Sequence, residues 1–266
     1  MGKLTLVSTG AGGDRYLTQE AINAIKEADL IVAYTKYAKD LPELVKDKEV
    51  FTTPMTKEIE RVQHAIDEAK KGRTVALLSN GDANVYAMGS LVVELIDTLD
   101  LWESIEYSAL PGISSVLALA SEVGAPISQD FCLISLSDRL TDAGLIQKRL
   151  RLALEGDFII AIYNPKSRSR LEPYRGMLEQ LKSIDASRPV VVARDLGRQN
   201  QMIKIITAKE LIDAGVENEE VNMSTTLLIG NSTTKLTSDG RVLTPRGYLN
   251  KYDLSGAQKG EWKKIN

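Results

Sequence analysis

Cysteine and histidine are almost missing from this chain: one of each, Cys132 and His64, occurs among 266 residues. A single cysteine excludes an intrachain disulfide and any zinc or iron–sulfur site built on several thiolates. His64 falls within a helical pattern from Lys57 to Lys71 whose apolar positions, Ile59, Val62, Ile66 and Ala69, share one face. At about 100° per residue it points away from that stripe and reads as solvated. Serine–histidine catalysis and histidine–metal chemistry are thereby excluded, and no metal site is expected. Long apolar runs are lacking as well. None approaches the roughly 18 residues that a membrane span requires. The N-terminus enters a strand at Lys3 with no basic segment and apolar leader before it, so a soluble protein of the cytoplasm, with no membrane partner, is expected. Nor does one sign of charge dominate: 33 Lys and Arg face 36 Asp and Glu, for a net charge of −3. That balance argues against a duplex-binding face and a nucleic-acid partner, while leaving room for a locally basic pocket.

What the chain does contain is an alternation of strands and helices. Lys3 to Thr9 reads as a buried strand leading into the glycine-rich loop Gly10 to Asp14. Thr18 is a good N-cap for a helix over Gln19 to Glu27, followed by a short strand from Leu30 to Ala33. The helix carrying His64 stops at Gly72. Strand residues Thr74 to Leu78 then give way to Ser79-Asn80-Gly81-Asp82, and an amphipathic pattern runs from Val85 towards Leu99. A strand follows over Ser104 to Ala109, then Pro111-Gly112-Ile113-Ser114-Ser115 and an apolar helix to about Val123. This order predicts a mostly parallel sheet. Gly124-Ala125-Pro126 marks a candidate boundary. Beyond it, strands at Phe131 to Leu136, Phe158 to Tyr163, Pro189 to Arg194, Met202 to Ile206 and Thr225 to Ile229 predict a second α/β domain with a mixed sheet. The expected division is 1–124, 125–237 and a tail over 238–266.

The loops at strand ends carry the chemistry. A dinucleotide fingerprint from Gly10 needs glycine at position 15, where Arg15 stands, and the second strand does not end in the ribose-binding acid. No Gly-Lys-Ser/Thr follows any glycine loop, so a P-loop is excluded too. Small residues at Ser8 to Asp14, Ser79 to Ala83, Gly112 to Ser115, Tyr163 to Asn164 and Ala193 to Gly197 allow close approach of backbone to a ligand. At Ser79 to Asp82 two readings stand. Gly81 turns the chain while Asp82 or Asn84 caps the helix, or the Asp82 carboxylate accepts hydrogen bonds from a ligand. Ser114 and Ser115 have the same two readings. Lys166, Arg168 and Arg170, with Arg194 and Arg198 at neighbouring strand ends, form either a solvated charged loop or a polycarboxylate site, since guanidinium groups bind carboxylates bidentately.

The order of these motifs resembles the tetrapyrrole (corrin/porphyrin) methyltransferases over nearly the whole chain, roughly Lys3 to Tyr252. The resemblance rests on the first glycine loop, the S-x-G-D turn at Ser79 to Asp82 and the L-P-G-I-S-S stretch from Leu110. More specific are Ser135 to Asp138, Tyr163-Asn164-Pro165-Lys166-Ser167-Arg168, Ala193-Arg194 with Gly197-Arg198, Gly230-Asn231-Ser232 and Thr244-Pro245-Arg246-Gly247-Tyr248. These are similar to the subgroup that methylates C-17 of precorrin-3B or cobalt-factor III, with coupled ring contraction, in cobalamin biosynthesis. The resemblance implies two α/β domains of the class III tetrapyrrole-methylase type, S-adenosylmethionine in the cleft between them, a tetrapyrrole over an open trough, and a homodimer. Its cofactor contacts fall on Thr9, Gly81, Asp82, Val85, Ser114, Ser115, Leu136, Tyr163, Asn164, Ala193, Thr225 and Thr226. Lys166, Arg168, Arg170, Arg194 and Arg198 become the anchors of a polyacid substrate.

Two departures stand out. The family's first loop reads G-x-G-P-G-D, whereas here Ala11 replaces the proline and Gly13 the acid, with Asp14 one place later as the substitute for proton handling. The Pro-Gly that follows Gly-Asp in the second loop is Ala83-Asn84. A C-11 or C-20 methyltransferase, and a catalytically weak tetrapyrrole carrier, are the alternative functions.

Overall fold

Consecutive buried residues, with both faces covered, decide the first sheet. The structure, a computed structural model, describes residues 1–260. It folds as two compact units, residues 1–118 with 195–201, and residues 119–194 with the chain from Met202 onwards. In the first unit β1 (Gly2–Ser8), β2 (Leu30–Tyr34), β3 (Glu49–Thr53), β4 (Thr74–Ser79) and β5 (Ile105–Leu110) form a sheet of order β3-β2-β4-β1-β5. Every pairing in it is parallel. Helices α1 (Gln19–Glu27), α2 (Thr35–Lys39) and α3 (Pro42–Val45) cover one face, and α4 (Glu58–Lys70) and α5 (Gly89–Thr98) the other. Leu4, Leu6, Val75 and Leu77 pack with α4 and α5, while Val7, Ala76 and Leu78 pack with Ala21 and Ile25 of α1. Such double-sided burial is why these strands read as continuous apolar runs. Each fully buried Leu or Ile contributes roughly 1.5–3 kcal/mol relative to exposure.

This topology places a switch point between β1 and β4. They are neighbours in register from Lys3↔Thr74 to Ser8↔Ser79. The connection from β1 runs through α1 on one face towards β2, and that from β4 runs through α5 on the other face towards β5. Ligands of open α/β sheets gather outside the carboxyl ends of strands at such a point.

The division between units falls inside α6 (Ser115–Val123), between Ala118 and Leu119, rather than at the boundary expected after Gly124. In the second unit the strands are β6 (Gly124–Ala125), β7 (Phe131–Ser135), β8 (Ile159–Tyr163), β9 (Pro189–Arg194), β10 (Met202–Thr207), β11 (Thr225–Ile229), β12 (Lys235–Leu236) and β13 (Val242–Leu243). Five of them form a sheet of order β10-β9-β11-β8-β7. Only β7 and β8 run parallel; the other neighbours are antiparallel. Helices α7 (Ala143–Glu155), α8 (Glu172–Leu181) and α9 (Ala208–Ala214) bury Ile146, Leu150, Met177, Leu181 and Leu211 against Ile160, Ile162, Val190, Val192 and Leu227.

Several local expectations need correction. His64 is half-buried, and its ring stacks on Phe51 with centroids 3.8 Å apart, because the edge strand β3 lies beside that flank of α4. Ile59, placed on the apolar stripe, is 62 % exposed in the first turn of α4, before the helix crosses the sheet. Helix α5 begins at Gly89 rather than Val85, since residues 82–88 form turns closed by Gly89 N–H donating to the Ala83 carbonyl at 2.8 Å. The tail expected from Ser238 is partly built into the fold. Strand β13 pairs in parallel with β6, and the buried Thr244 donates to the Pro126 carbonyl at 2.7 Å. A short helix, α10 (Tyr248–Lys251), follows, and residues 261–266 of that tail lie outside the described residues. Among the described residues no helix is long and apolar enough to cross a membrane.

Candidate active site

In the first unit the loops after β1, β4 and β5 are tied into one knot. Gly10 and Gly81 exchange backbone hydrogen bonds, Gly10 N–H to Gly81 O at 3.1 Å and Gly81 N–H to Gly10 O at 2.7 Å. Thr9, 5 % exposed, donates its backbone N–H and its hydroxyl to the Ser79 carbonyl, at 2.8 and 3.2 Å. The Ser8 hydroxyl accepts from Ala83 N–H at 2.9 Å. A Cβ at Gly112 would stand 2.3 Å from the Gly81 carbonyl oxygen and 2.5 Å from the Ser8 Cβ, so the β5 loop closes against the other two only as glycine. At Gly81, by contrast, φ is +67° and a Cβ would meet nothing within 4 Å. The turn needs glycine there while leaving its outer side open to an incoming group.

Asp82 does not cap the helix, which starts only at Gly89; its carboxylate bonds two loops instead. One carboxylate oxygen accepts from Asn84 N–H at 2.9 Å, and the other accepts from Gly112 N–H at 3.0 Å. It therefore locks the β4 loop to the β5 loop, and any bond it offers a ligand is additional to these two. Val85 is half-buried, its N–H bonded to the Asp82 carbonyl at 3.0 Å. Ser114 is buried at the cap of α6, where its carbonyl accepts from Leu117 N–H at 3.0 Å, and Ser115 is the first helical residue.

Arg198, expected as a substrate anchor, is engaged inside the first unit. Its guanidinium pairs with Asp40 at 2.8 Å and donates to Asn80 Oδ1 at 3.1 Å and to the Ala11 carbonyl at 3.3 Å. It thereby braces the loops after β1 and β4 and the segment after α2. Gly13, where the family's acid would stand, faces the same segment: a Cβ there would lie 2.6 Å from the Gly197 carbonyl oxygen. Asp14 is exposed and opens a single 3₁₀ turn, Asp14–Tyr16, free of the packing that surrounds Gly13.

All the candidate cofactor positions of the second unit lie at one edge of its sheet. Ser135 is in register with Tyr163, Thr225 with Arg194, and Thr226 with Ala193. Because β11 is antiparallel to β8 and β9, its first residues sit beside their last ones. Leu136, fully buried, donates its N–H to the Tyr163 carbonyl at 2.9 Å, and Asn164, at φ 51°, donates its amide to the Ser135 hydroxyl at 3.0 Å. The Thr225 hydroxyl donates to the Glu220 carbonyl at 3.2 Å.

The basic cluster of this unit separates into different roles. The Arg170 side chain is only 10 % exposed; it donates to the Leu136 carbonyl, to the Asn164 carbonyl at 2.9 Å, and lies 3.7 Å from Asp138. It is thus a clamp on both strand-end loops. Lys166 is 7 % exposed, bonds the Val216 carbonyl and sits 5.5 Å from the centre of the Tyr174 ring. Burial pushes its ammonium pKa below the usual lysine value. Arg168 is exposed in the same loop, while half-buried Arg194 donates to the Glu219 carbonyl at 3.4 Å. Asp40 escaped the sequence reading, while Asn80, Ser8 and Ser135 were read only as members of their loops, with no bond of their own assigned.

The family model for Tetrapyrrole (Corrin/Porphyrin) Methylases matches residues 3–212. A cobalamin biosynthesis protein CbiHC of Archaeoglobus fulgidus is 40% identical over 98% of this chain, which spans 56% of that protein's length. A probable cobalt-factor III C(17)-methyltransferase of Methanocaldococcus jannaschii is 39% identical over 94% of this chain and all of the relative. Among solved structures, the methyltransferase CobJ superposes with a TM-score of 0.84 at 34% identity, covering 92% of this chain and 100% of that one. With a family match over most of its length and relatives of this identity, the chain belongs to the tetrapyrrole (corrin/porphyrin) methylases.

Proposed function

We propose that this protein is an S-adenosylmethionine-dependent methyltransferase that acts on C-17 of a cobalt-factor III or precorrin-3B type tetrapyrrole, with coupled ring contraction, in cobalamin biosynthesis. The observation that carries this reading is the end-to-end match to a relative named for that reaction, together with strand-end loops of the kind it requires. A cytoplasmic homodimer is part of the same reading.

The cofactor, when bound, supplies an electrophilic methyl group on a sulfonium. The proposed contacts are Thr9, Gly81, Asp82, Val85, Ser114 and Ser115 in the first unit, and Leu136, Tyr163, Asn164, Ala193, Thr225 and Thr226 in the second. The open side of Gly81 fits a ligand that approaches the backbone closely. The task left to these residues is alignment of donor and acceptor carbons, the term that dominates an in-line displacement. Arg168 remains the exposed guanidinium suited to a carboxylate arm, with Arg194 beside the β9 end. Asp14, exposed and one place from the family's acid, is the proposed proton-handling group.

Calorimetry with S-adenosylhomocysteine tests the cofactor, and absence of binding at high micromolar concentration rejects the reading. Incubation of cobalt-factor III or precorrin-3B with S-adenosylmethionine, read by mass, tests the reaction. One added methyl group at C-17 is expected; substrate that binds without gaining it would mark a carrier instead.

A further inference from the structure

Arg61 is 2 % exposed on α4, among the carboxyl ends of β2, β3 and β4. Its Nε donates to the Thr53 hydroxyl at 2.9 Å, Nη2 to the Pro54 carbonyl at 3.0 Å, and Nη1 approaches the Met88 sulfur at 3.4 Å. All three partners are neutral. A guanidinium has five N–H groups, so these contacts leave two without an acceptor. Buried charges are ordinarily matched by an opposite charge. Among the described residues, no carboxylate forms an ion pair with Arg61. Glu58, whose charge acts on it from a distance, accepts from Thr56 N–H at 3.1 Å.

Two tyrosines stand beside this charge. Tyr34, the last residue of β2, and Tyr37 of α2 meet edge to face with centroids 5.1 Å apart, and the Arg61 guanidinium lies 5.8 Å from the Tyr34 ring centre. Neither hydroxyl has a hydrogen-bond partner among the described residues. Burial raises the Tyr37 pKa, so this phenol stays protonated, and a donor, at neutral pH. The neighbouring Arg198 is neutralised by Asp40 at 2.8 Å, which leaves the Arg61 charge as the uncompensated one in the cluster.

We propose that Tyr34, Tyr37 and Arg61 form a subsite for a carboxylate arm of the tetrapyrrole, the two hydroxyls donating to the carboxylate and Arg61 supplying the opposing charge. The proposal rests on the substrate reading above. A purely structural Arg61, tying α4 to the end of β3, would use Thr53, Pro54 and Met88 and make no demand on the tyrosine hydroxyls.

The double substitution Tyr34→Phe/Tyr37→Phe separates these roles, because it removes two oxygens and keeps both rings. In an absorbance titration with cobalt-factor III, the variant is expected to bind roughly ten-fold or more weakly, as hydrogen bonds to a charged group are lost. Its affinity for S-adenosylhomocysteine and its melting temperature should match the wild type. Arg61→Gln should weaken the same titration, with Arg61→Lys intermediate. Unchanged tetrapyrrole binding by the double variant, or an equal loss for the cofactor product, would overturn the subsite. Wild-type protein that binds the tetrapyrrole without methylating it would remove the enzymatic reading and leave the subsite standing. Wild-type protein that binds no tetrapyrrole would remove both.

Discussion

Each of the two sheets gathers loops at an edge of its own, by different means. In the all-parallel sheet of the first unit, the loop edge is assembled from carboxyl ends alone: β1, β4 and β5 deliver Thr9, Gly81 and Gly112 side by side. The mixed sheet of the second unit admits the beginning of a strand to its edge, so Thr225 and Thr226 of β11 stand beside Ala193 and Arg194 of β9. The fastenings differ too. The parallel edge is held by backbone bonds between glycines and by the Asp82 carboxylate, while at the mixed edge one guanidinium, Arg170, acts on two loop carbonyls beside the Leu136–Tyr163 and Asn164–Ser135 bonds. A distributed fastening tolerates the loss of one member better than a single clamp does.

That contrast can be broken by experiment. Arg170→Met should be the most damaging substitution. It leaves the Leu136 and Asn164 carbonyls without their donor, at about 2–6 kcal/mol if each orphaned carbonyl costs about 1–3. Chemical denaturation measures the loss, and S-adenosylhomocysteine affinity should fall with it. Arg168→Met, a few residues away and exposed, should leave stability unchanged and raise the Michaelis constant for the tetrapyrrole. Asp82→Ala ranks next, at about 1–3 kcal/mol, because the Ser8, Gly10 and Gly81 bonds survive it. A calorimetric loss of cofactor-product affinity larger than the loss of stability would show a ligand bond beyond its two internal ones. Thr207→Ala sets the floor. Thr207 and Glu210 form a reciprocal cap on α9 away from either edge, so about 1 kcal/mol of stability should be lost with no change in ligand binding.

How far the sequence disclosed all this follows from which forces are local. Thr18 was readable as the cap of α1 because its hydroxyl needs only Ala21 N–H, three residues on, at 3.1 Å. The inner strands were readable because burial on both faces forces apolar residues at consecutive positions. Strand β3 was not, since it lies at the sheet edge and only Thr53 of its residues is buried. The fate of the basic residues was equally hidden. A lysine or arginine in a loop resembles a ligand anchor until the fold decides which carbonyls lack donors, as at Val216, Leu136 and Asn164. Asp40 and Arg198, 158 positions apart, share no local pattern that would announce their pairing. The candidate cofactor loops were visible as small-residue turns, but their assembly into edges needed the strand order.

The close approach of Gly13 to Gly197 has a consequence for anyone wishing to restore the acid that the family's first loop carries. Gly13 and Gly197 adopt φ of +64° and +72°, and a Cβ on Gly197 would lie 2.2 Å from the Gly12 carbonyl oxygen. The two loops are therefore coupled through their backbones. Gly13→Asp on its own puts its new carbon against the backbone of residue 197. A mutant library that varies position 13 alone would sample only misshapen loops. One that also changes the length or path of residues 195–201 could reach an acidic first loop, and would reveal whether Asp14 has taken over its work.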